Sequence, residues 1–133
     1  MAPNPLHARD LSYCTLVTMP PEVDLANCLV LYEQAAAIVA ARAGGLAVLV
    51  LDFTATEFLD TRGTWLLETL LDRIREAGAE LRLVAPEGLV NRVLAMTSVR
   101  RDVPVYDAVL DAVLGEDPTW QDGPEPDPDP DPS

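Results

Sequence analysis

The sequence contains no lysine and one histidine, so its positive charge comes almost entirely from nine arginines. Against 22 acidic residues they leave a formal net charge of −13. A chain this acidic is repelled by nucleic acid phosphates and by anionic membrane surfaces. We therefore expect no nucleic acid partner.

Long hydrophobic runs are also absent. No apolar stretch reaches the length needed to cross a bilayer, so no membrane insertion is expected. Residues 1–11 lack the apolar segment of a secretory signal, which makes the cytoplasm the expected location. Aromatic residues make up only 5% of the chain, whereas hydrophobic residues make up 49%, so leucine, valine and alanine must fill the core.

The residues that usually perform chemistry are few and scattered. Cys14 and Cys28 lack metal-binding spacing and are interpreted as small buried hydrophobic residues. His7 has no nucleophile nearby in the sequence. Three carboxylates, Asp24, Asp52 and Asp60, could form an acid–base or magnesium site, but helix capping and loop positions explain them better. We expect no enzyme activity, no metal and no cofactor.

The central stretch of the chain predicts a strand followed by a helix. Leu46 to Asp52 is a continuous apolar run, typical of a strand buried on both faces of a parallel sheet. Asp60 then occupies a helix N-cap position. The apolar residues that follow have the spacing of one helical stripe. They are Gly63, Leu66, Leu67, Leu70, Leu71 and Ile74.

The rest of the chain alternates in the same way. Strands are predicted at 11–19, 81–84 and 103–105, the last at a sheet edge because Pro104 interrupts it. Further helices are predicted after Asp24, after Pro86 and from Ala108 to Leu114, with residues Cys28, Leu29, Tyr32, Ala35, Ala36 and Val39 on the inner face of the first. This order predicts an α/β fold with a mixed, mostly parallel sheet of four or five strands and four helices.

Three segments follow from this pattern. Residues 1–10 are expected to form an irregular arm, and residues 11–115 the folded domain. Residues 116–133 contain seven acids, six prolines and no base. Such a composition predicts a disordered, solvated tail that the domain does not need in order to fold.

The order of these motifs resembles the STAS domain of bacterial anti-sigma factor antagonists. In that family an apolar strand ending in Asp leads to Asp-Ser-Ser-Gly and an amphipathic helix. Here the strand ends at Asp52, and the loop reads Asp60-Thr61-Arg62-Gly63. Residues 22–27, Glu-Val-Asp-Leu-Ala-Asn, are similar to a second stretch of the family upstream. Residues 81–84 and 93–97 also fit.

The resemblance implies regulation of transcription by partner switching. In the family an anti-sigma factor kinase phosphorylates the second Ser, and the unphosphorylated antagonist binds that kinase and frees the sigma factor. This chain has Arg62 at that position, which cannot accept phosphate. Thr61 matches the first Ser and Thr64 follows the glycine, so these two are the candidate phosphorylation sites.

We expect the partner to bind at the loop after Asp60. The helical phase places Trp65 opposite the apolar stripe, beside Thr61, Glu68 and Asp72. An exposed tryptophan is typical of a binding surface. The expected partner-binding residues are Asp24, Asp60, Thr61, Arg62, Gly63 and Trp65.

Two other functions stay open. The chain could be a STAS subunit or scaffold of another assembly, such as a transporter complex. It could also bind a small molecule or nucleotide near Asp24 and Asp60, although it has no glycine-rich phosphate loop.

Overall fold

Seven strands and five helices form the part of the chain that the computed structural model describes, residues 6–11, 14–42, 44–116 and 118. The strands are β1 His7–Leu11, β2 Cys14–Thr18, β3 Glu22–Val23, β4 Val48–Asp52, β5 Phe58–Leu59, β6 Glu80–Val84 and β7 Val105–Tyr106. The helices are α1 Cys28–Ala41, α2 Trp65–Glu76, α3 Leu89–Ala95, α4 Val99–Asp102 and α5 Val109–Leu114. A 3-10 turn, Thr61–Thr64, precedes α2.

Five of the strands form one sheet in the order β1-β2-β4-β6-β7. Only the β1–β2 pair is antiparallel, which confirms the predicted mixed and mostly parallel α/β fold. The edge position predicted for the strand near Pro104 is also confirmed, because β7 is the last strand of the sheet. The short helix α4 was not among the four predicted.

Helices cover both faces of this sheet. The larger core packs the inner faces of α1, α2 and α3 against one face. Five residues of the predicted stripe lie on α2 and are buried in this core, and the sixth, Gly63, is buried in the 3-10 turn. The smaller core lies on the other face under α5 and includes Cys14, Val50 and Tyr106. A strand such as β4 is therefore buried on both faces, which explains its unbroken apolar sequence.

Strand β1 corrects the prediction of an irregular arm, since residues 7–10 belong to it. Its five residues pair in register with β2, from His7 opposite Thr18 to Leu11 opposite Cys14. Asp10 holds the strand in place by accepting a hydrogen bond from Thr15 and pairing with Arg42. Strand β1 could not be predicted from local pattern, because its residues are mostly polar and its strand conformation depends on pairing with β2.

The inner face of α1 was also predicted wrongly in part. Leu31 is buried, whereas Leu29 is exposed to solvent. The sequence of α1 is apolar almost throughout, so its periodicity does not define one face. Packing against α2 selects the buried residues instead.

Arg82 fastens α5 to the sheet. Its Nη1 donates to the carbonyl of Ala112 at 2.8 Å near the C-terminal end of α5, and Nε and Nη2 pair with Glu80. Arg82→Met keeps most of the side-chain volume but removes these bonds. We expect it to lower the free energy of unfolding by about 1–3 kcal/mol, because hydrogen bonds to a charged group are lost in a half-buried site. Urea unfolding measures this.

Glu80→Gln serves as the control for Arg82→Met, because it removes the ion pair and leaves the bonds from Arg82 to α5. We expect it to cost less than about 1 kcal/mol, because the Glu80 side chain is 50% exposed and the neutral amide oxygen still accepts from Arg82. If the free energy of unfolding fell equally in the two variants, the bonds from Arg82 to α5 would not be what stabilises the fold.

Candidate functional site

Strands β3 and β5 bring together two segments that lie far apart in the sequence. They pair in parallel, with Val23 opposite Leu59, and the Asp60 N–H donates to the Val23 carbonyl at 2.9 Å. Gly63 packs against the same backbone, since a Cβ there would lie 3.3 Å from Cα of Asp24. Asp24, Asp60 and Gly63, three of the expected partner-binding residues, therefore lie side by side.

Asp60 organises the loop before α2. Its Oδ1 accepts a hydrogen bond from the Arg62 N–H at 2.9 Å, which caps the 3-10 turn. Its Oδ2 pairs with Nη2 of Arg62, also at 2.9 Å. The Arg62 side chain and its N–H hold the pKa of Asp60 below its usual range, so the carboxylate stays ionised at neutral pH. The positive charge of Arg62 is thus compensated within the loop.

The turn after β3 is fixed in a similar way. The Asp24 carboxylate accepts from the Asn27 N–H at 3.0 Å, and the Asn27 amide oxygen accepts from the Asp24 N–H at 2.9 Å. This reciprocal pair has the form of a capping box. Helix α1 is regular from Cys28, so Asp24 caps the turn that leads into the helix rather than its first regular residue.

The two candidate phosphorylation sites differ in access. Thr64 is buried, and its hydroxyl donates to the carbonyl of Thr61. A kinase could reach it only if the 3-10 turn opened. Thr61 is exposed and is therefore the more accessible of the two hydroxyls.

Exposed apolar side chains surround this loop. Leu25, Phe58 and Trp65 are between 42% and 55% exposed. The Trp65 ring contacts Tyr32 of α1 edge to face, with centroids 5.5 Å apart. Trp65 therefore packs on one side and faces solvent on the other, as the helical phase predicted.

We define the Asp60 surface as Asp24, Leu25, Phe58, Asp60, Arg62 and Trp65. The first five of these also line a shallow depression together with Ala26. Leu25 and Phe58 were not among the expected partner-binding residues. An apolar residue next to a capping aspartate gives no sign of exposure until its neighbours in space are known.

The three carboxylates that the sequence offered for an acid–base or magnesium site each bond within their own loops. Asp24 and Asp60 are used in their loops, and Asp52 accepts hydrogen bonds from the N–H and hydroxyl of Thr54. Among the described residues, no three acidic, histidine or cysteine side chains are placed to hold a metal ion. No helix in the described part of the chain is long and apolar enough to cross a bilayer.

Comparison with known proteins decides the family. The family model of the STAS domain matches residues 8–112, most of the chain and all of the main sheet except His7. The chain belongs to the STAS domain family. No curated protein matches the sequence significantly.

Solved structures share this STAS fold. An anti-sigma factor antagonist from Mycobacterium paratuberculosis is 24% identical, with a TM-score of 0.71, over 83% of this chain and 91% of its own. The Bacillus cell fate determinant SpoIIAA in its phosphorylated form is 13% identical, with a TM-score of 0.59, over 83% and 97%. The murine anion transporter Solute Carrier 26 family member A9 is 22% identical, with a TM-score of 0.64, over 80% of this chain and 18% of the transporter. At these identities the similarity establishes the fold of the STAS domain.

Proposed function

We propose that this STAS domain is a non-enzymatic, cytoplasmic regulator that binds an anti-sigma factor or a related regulatory protein through the Asp60 surface. The observation that carries the proposal is a fixed loop surrounded by exposed apolar side chains. Exposed apolar residues that cluster beside polar groups are typical of protein-binding sites. The solved antagonists with the same fold support this class of partner.

The loop differs from a phosphorylation switch in its charge. The resemblance places a phosphorylated serine at position 62, where phosphate would add about −1.5 to −2 charges. Arg62 instead supplies a cation that Asp60 neutralises at 2.9 Å. We infer that position 62 is not phosphorylated and that the surface stays in one charge state, unless a kinase modifies the exposed Thr61.

Affinity capture tests the proposed partner. The full chain and its Trp65→Ala variant are immobilised in parallel and exposed to cytosol of the source cells, and the retained proteins are identified by mass spectrometry. We expect an anti-sigma factor or a related regulator on the unmodified chain alone, and binding of the purified pair confirms it. Retention of the same proteins on both chains would contradict the proposal.

Arg62→Ser tests whether the family switch can be restored. We expect the captured partner, if it is a kinase, to phosphorylate this variant with ATP and Mg²⁺ but not the unmodified chain at position 62. Arg62→Ala is the matched control, because it breaks the same pair with Asp60 and offers no hydroxyl. Phosphopeptide mapping that finds phosphate on both variants would place the acceptor elsewhere, with Thr61 as the first candidate.

A role in a transporter assembly is the second candidate, favoured by the structural similarity to the anion transporter. A parallel capture from detergent-solubilised membranes of the source cells distinguishes it, since the retained protein would then be an integral membrane protein.

Binding of a small molecule is the third candidate. The observation in its favour is a mostly apolar groove of about 670 Å³ between the end of β2 and the start of α1, whose lining includes Met19, Val30 and Leu31. A ligand that binds only the folded chain raises its melting temperature, so a thermal-shift screen tests this function.

A further inference from the structure

A mostly apolar groove lies beside the turn that leads into α1. Its volume is about 670 Å³, and its walls come from the start of β1, the end of β2, the turn before α1 and the first residues of that helix. Met19, Pro21, Ala26, Val30 and Leu31 supply much of the apolar lining. A volume of this size falls within the roughly 300–1,000 Å³ that small-molecule sites occupy.

The lining carries little charge, in contrast to the rest of the chain. Among the described residues that line the groove, none is acidic and none is an arginine, and only His7, which is exposed to solvent, can take a charge. The amide of Asn27 is already used, since its oxygen accepts from the Asp24 N–H and its nitrogen donates to the Glu22 carbonyl. A charged ligand would lose hydration here without a buried ion partner, which costs free energy. The groove therefore suits an uncharged, mostly apolar molecule.

Hydrogen bonds fix the walls of the groove. The Thr56 hydroxyl donates to the Pro20 carbonyl at 2.7 Å, which ties the end of β2 to the loop after β4. Just before β1, the Leu6 N–H donates to the side-chain oxygen of Gln34 on α1 at 3.1 Å. A ligand therefore enters a site that already exists, and little free energy is spent on ordering these walls.

The groove also contacts the backbone that carries two apolar residues of the Asp60 surface. The Pro21 carbonyl accepts from the N–H groups of Glu57 and Phe58, at 2.7 and 3.1 Å. Ala26 lines this groove and also the shallow depression at the Asp60 surface, where Leu25 precedes it in the chain. A molecule packed against Pro21 and Ala26 therefore restricts the backbone on both sides of that depression.

We propose that the groove binds an uncharged, mostly apolar small molecule, and that this molecule orders the Leu25 and Phe58 segments of the Asp60 surface. The proposal rests on the small-molecule function considered for this groove, and it adds a class of ligand and an effect of binding. Because a surface that is already ordered loses less entropy when a partner binds, the bound molecule favours partner binding.

Two fluorescent probes with the same ring system test the class of ligand in the full chain. N-phenyl-1-naphthylamine is uncharged, and 1-anilinonaphthalene-8-sulfonate carries one added negative charge. We expect the uncharged probe to bind saturably and at least about tenfold more tightly, because the sulfonate must be desolvated without a buried ion partner. Equal or tighter binding of the sulfonate would keep the small-molecule function and overturn the class of ligand. Absence of saturable binding by the uncharged probe would refute the site itself.

Val30→Glu tests whether the groove is where the probe binds. Val30 is half-buried in the lining, so a carboxylate there should weaken the uncharged probe at least about tenfold. Ala37→Glu is the matched control, because it adds the same charge at an exposed position of α1 outside the lining and should leave binding unchanged. If Val30→Glu does not fold, Ala55→Glu replaces it, since Ala55 is an exposed residue of the lining. Equal binding by variant and control would place the probe elsewhere and contradict the proposal.

Amide hydrogen exchange measures the effect on the Asp60 surface in the absence of a partner. With the uncharged probe at saturation, we expect exchange of the Glu57 and Phe58 N–H groups to slow at least about threefold, because local opening of their segment is restricted. The Ala112 N–H of α5, on the other face of the sheet, is the reference and should slow less. An equal change at both places, or none at Phe58, would show that the ligand does not order this surface. Failure to capture a protein partner would contradict the proposed regulator and leave these measurements unaffected.

Discussion

Trp65→Ala is expected to weaken binding of the captured partner by about 30-fold, or roughly 2 kcal/mol, the threshold of an interface hot spot. Trp65 is the largest exposed side chain of the Asp60 surface, and its ring is already oriented by Tyr32. Binding therefore costs little ordering of that side chain. Isothermal titration with the purified partner measures the loss.

Folding should survive this change. The variant loses the edge-to-face contact with Tyr32, which contributes about 0.5–1.5 kcal/mol to the free energy of unfolding. No buried side chain is removed, because Trp65 is partly exposed. Leu110→Ala is the control, because Leu110 is also exposed but lies on α5, on the other face of the sheet. Equal affinity for the two variants would show that α2 is not the interface. Loss of folding in Trp65→Ala would show that the tryptophan is part of the core.

Gly63→Val is expected to lower the free energy of unfolding by about 1–3 kcal/mol, the usual cost of overpacking. A Cβ at Gly63 would lie 3.3 Å from the Val23 carbonyl oxygen and from the Asp24 backbone. These neighbours are main-chain atoms held by the β3–β5 pair, so they cannot rotate away. The melting temperature should fall by roughly 5–10 °C, and partner binding should weaken because Asp24 and Asp60 are pushed apart.

Gly45→Val is the matched control for this effect. A Cβ there meets only the Arg42 carbonyl oxygen, at the ordinary contact distance of 3.8 Å. We expect thermal unfolding followed by circular dichroism to show little change for Gly45→Val. If the melting temperature of Gly45→Val fell as far as that of Gly63→Val, the added β-branched side chain, and not the close contact with Asp24, would be the cause of the lost stability.

Local pattern predicted those elements that carry a strong period or a long apolar run. The stripe that begins at Gly63 and continues on α2 follows helical spacing, and all six of its members are buried. The run that contains β4 is apolar because both of its faces are covered. Helix α1 is apolar on all sides, so its inner face was predicted wrongly in part. Strand β1 is mostly polar, so its residues were predicted to form an irregular arm.

The sequence by itself determined the α/β alternation, the acidic charge, the outward direction of Trp65 and the replacement of a family serine by Arg62. Only the tertiary structure decided that Asp24 meets Gly63, that Thr64 is buried and that Leu25 and Phe58 are exposed around them. The physical reason is the length of β3 and β5. A strand of two residues is too short to show the alternation of apolar and polar residues by which strands are recognised in a sequence. These two strands form only because they pair with each other, across 36 positions of the chain.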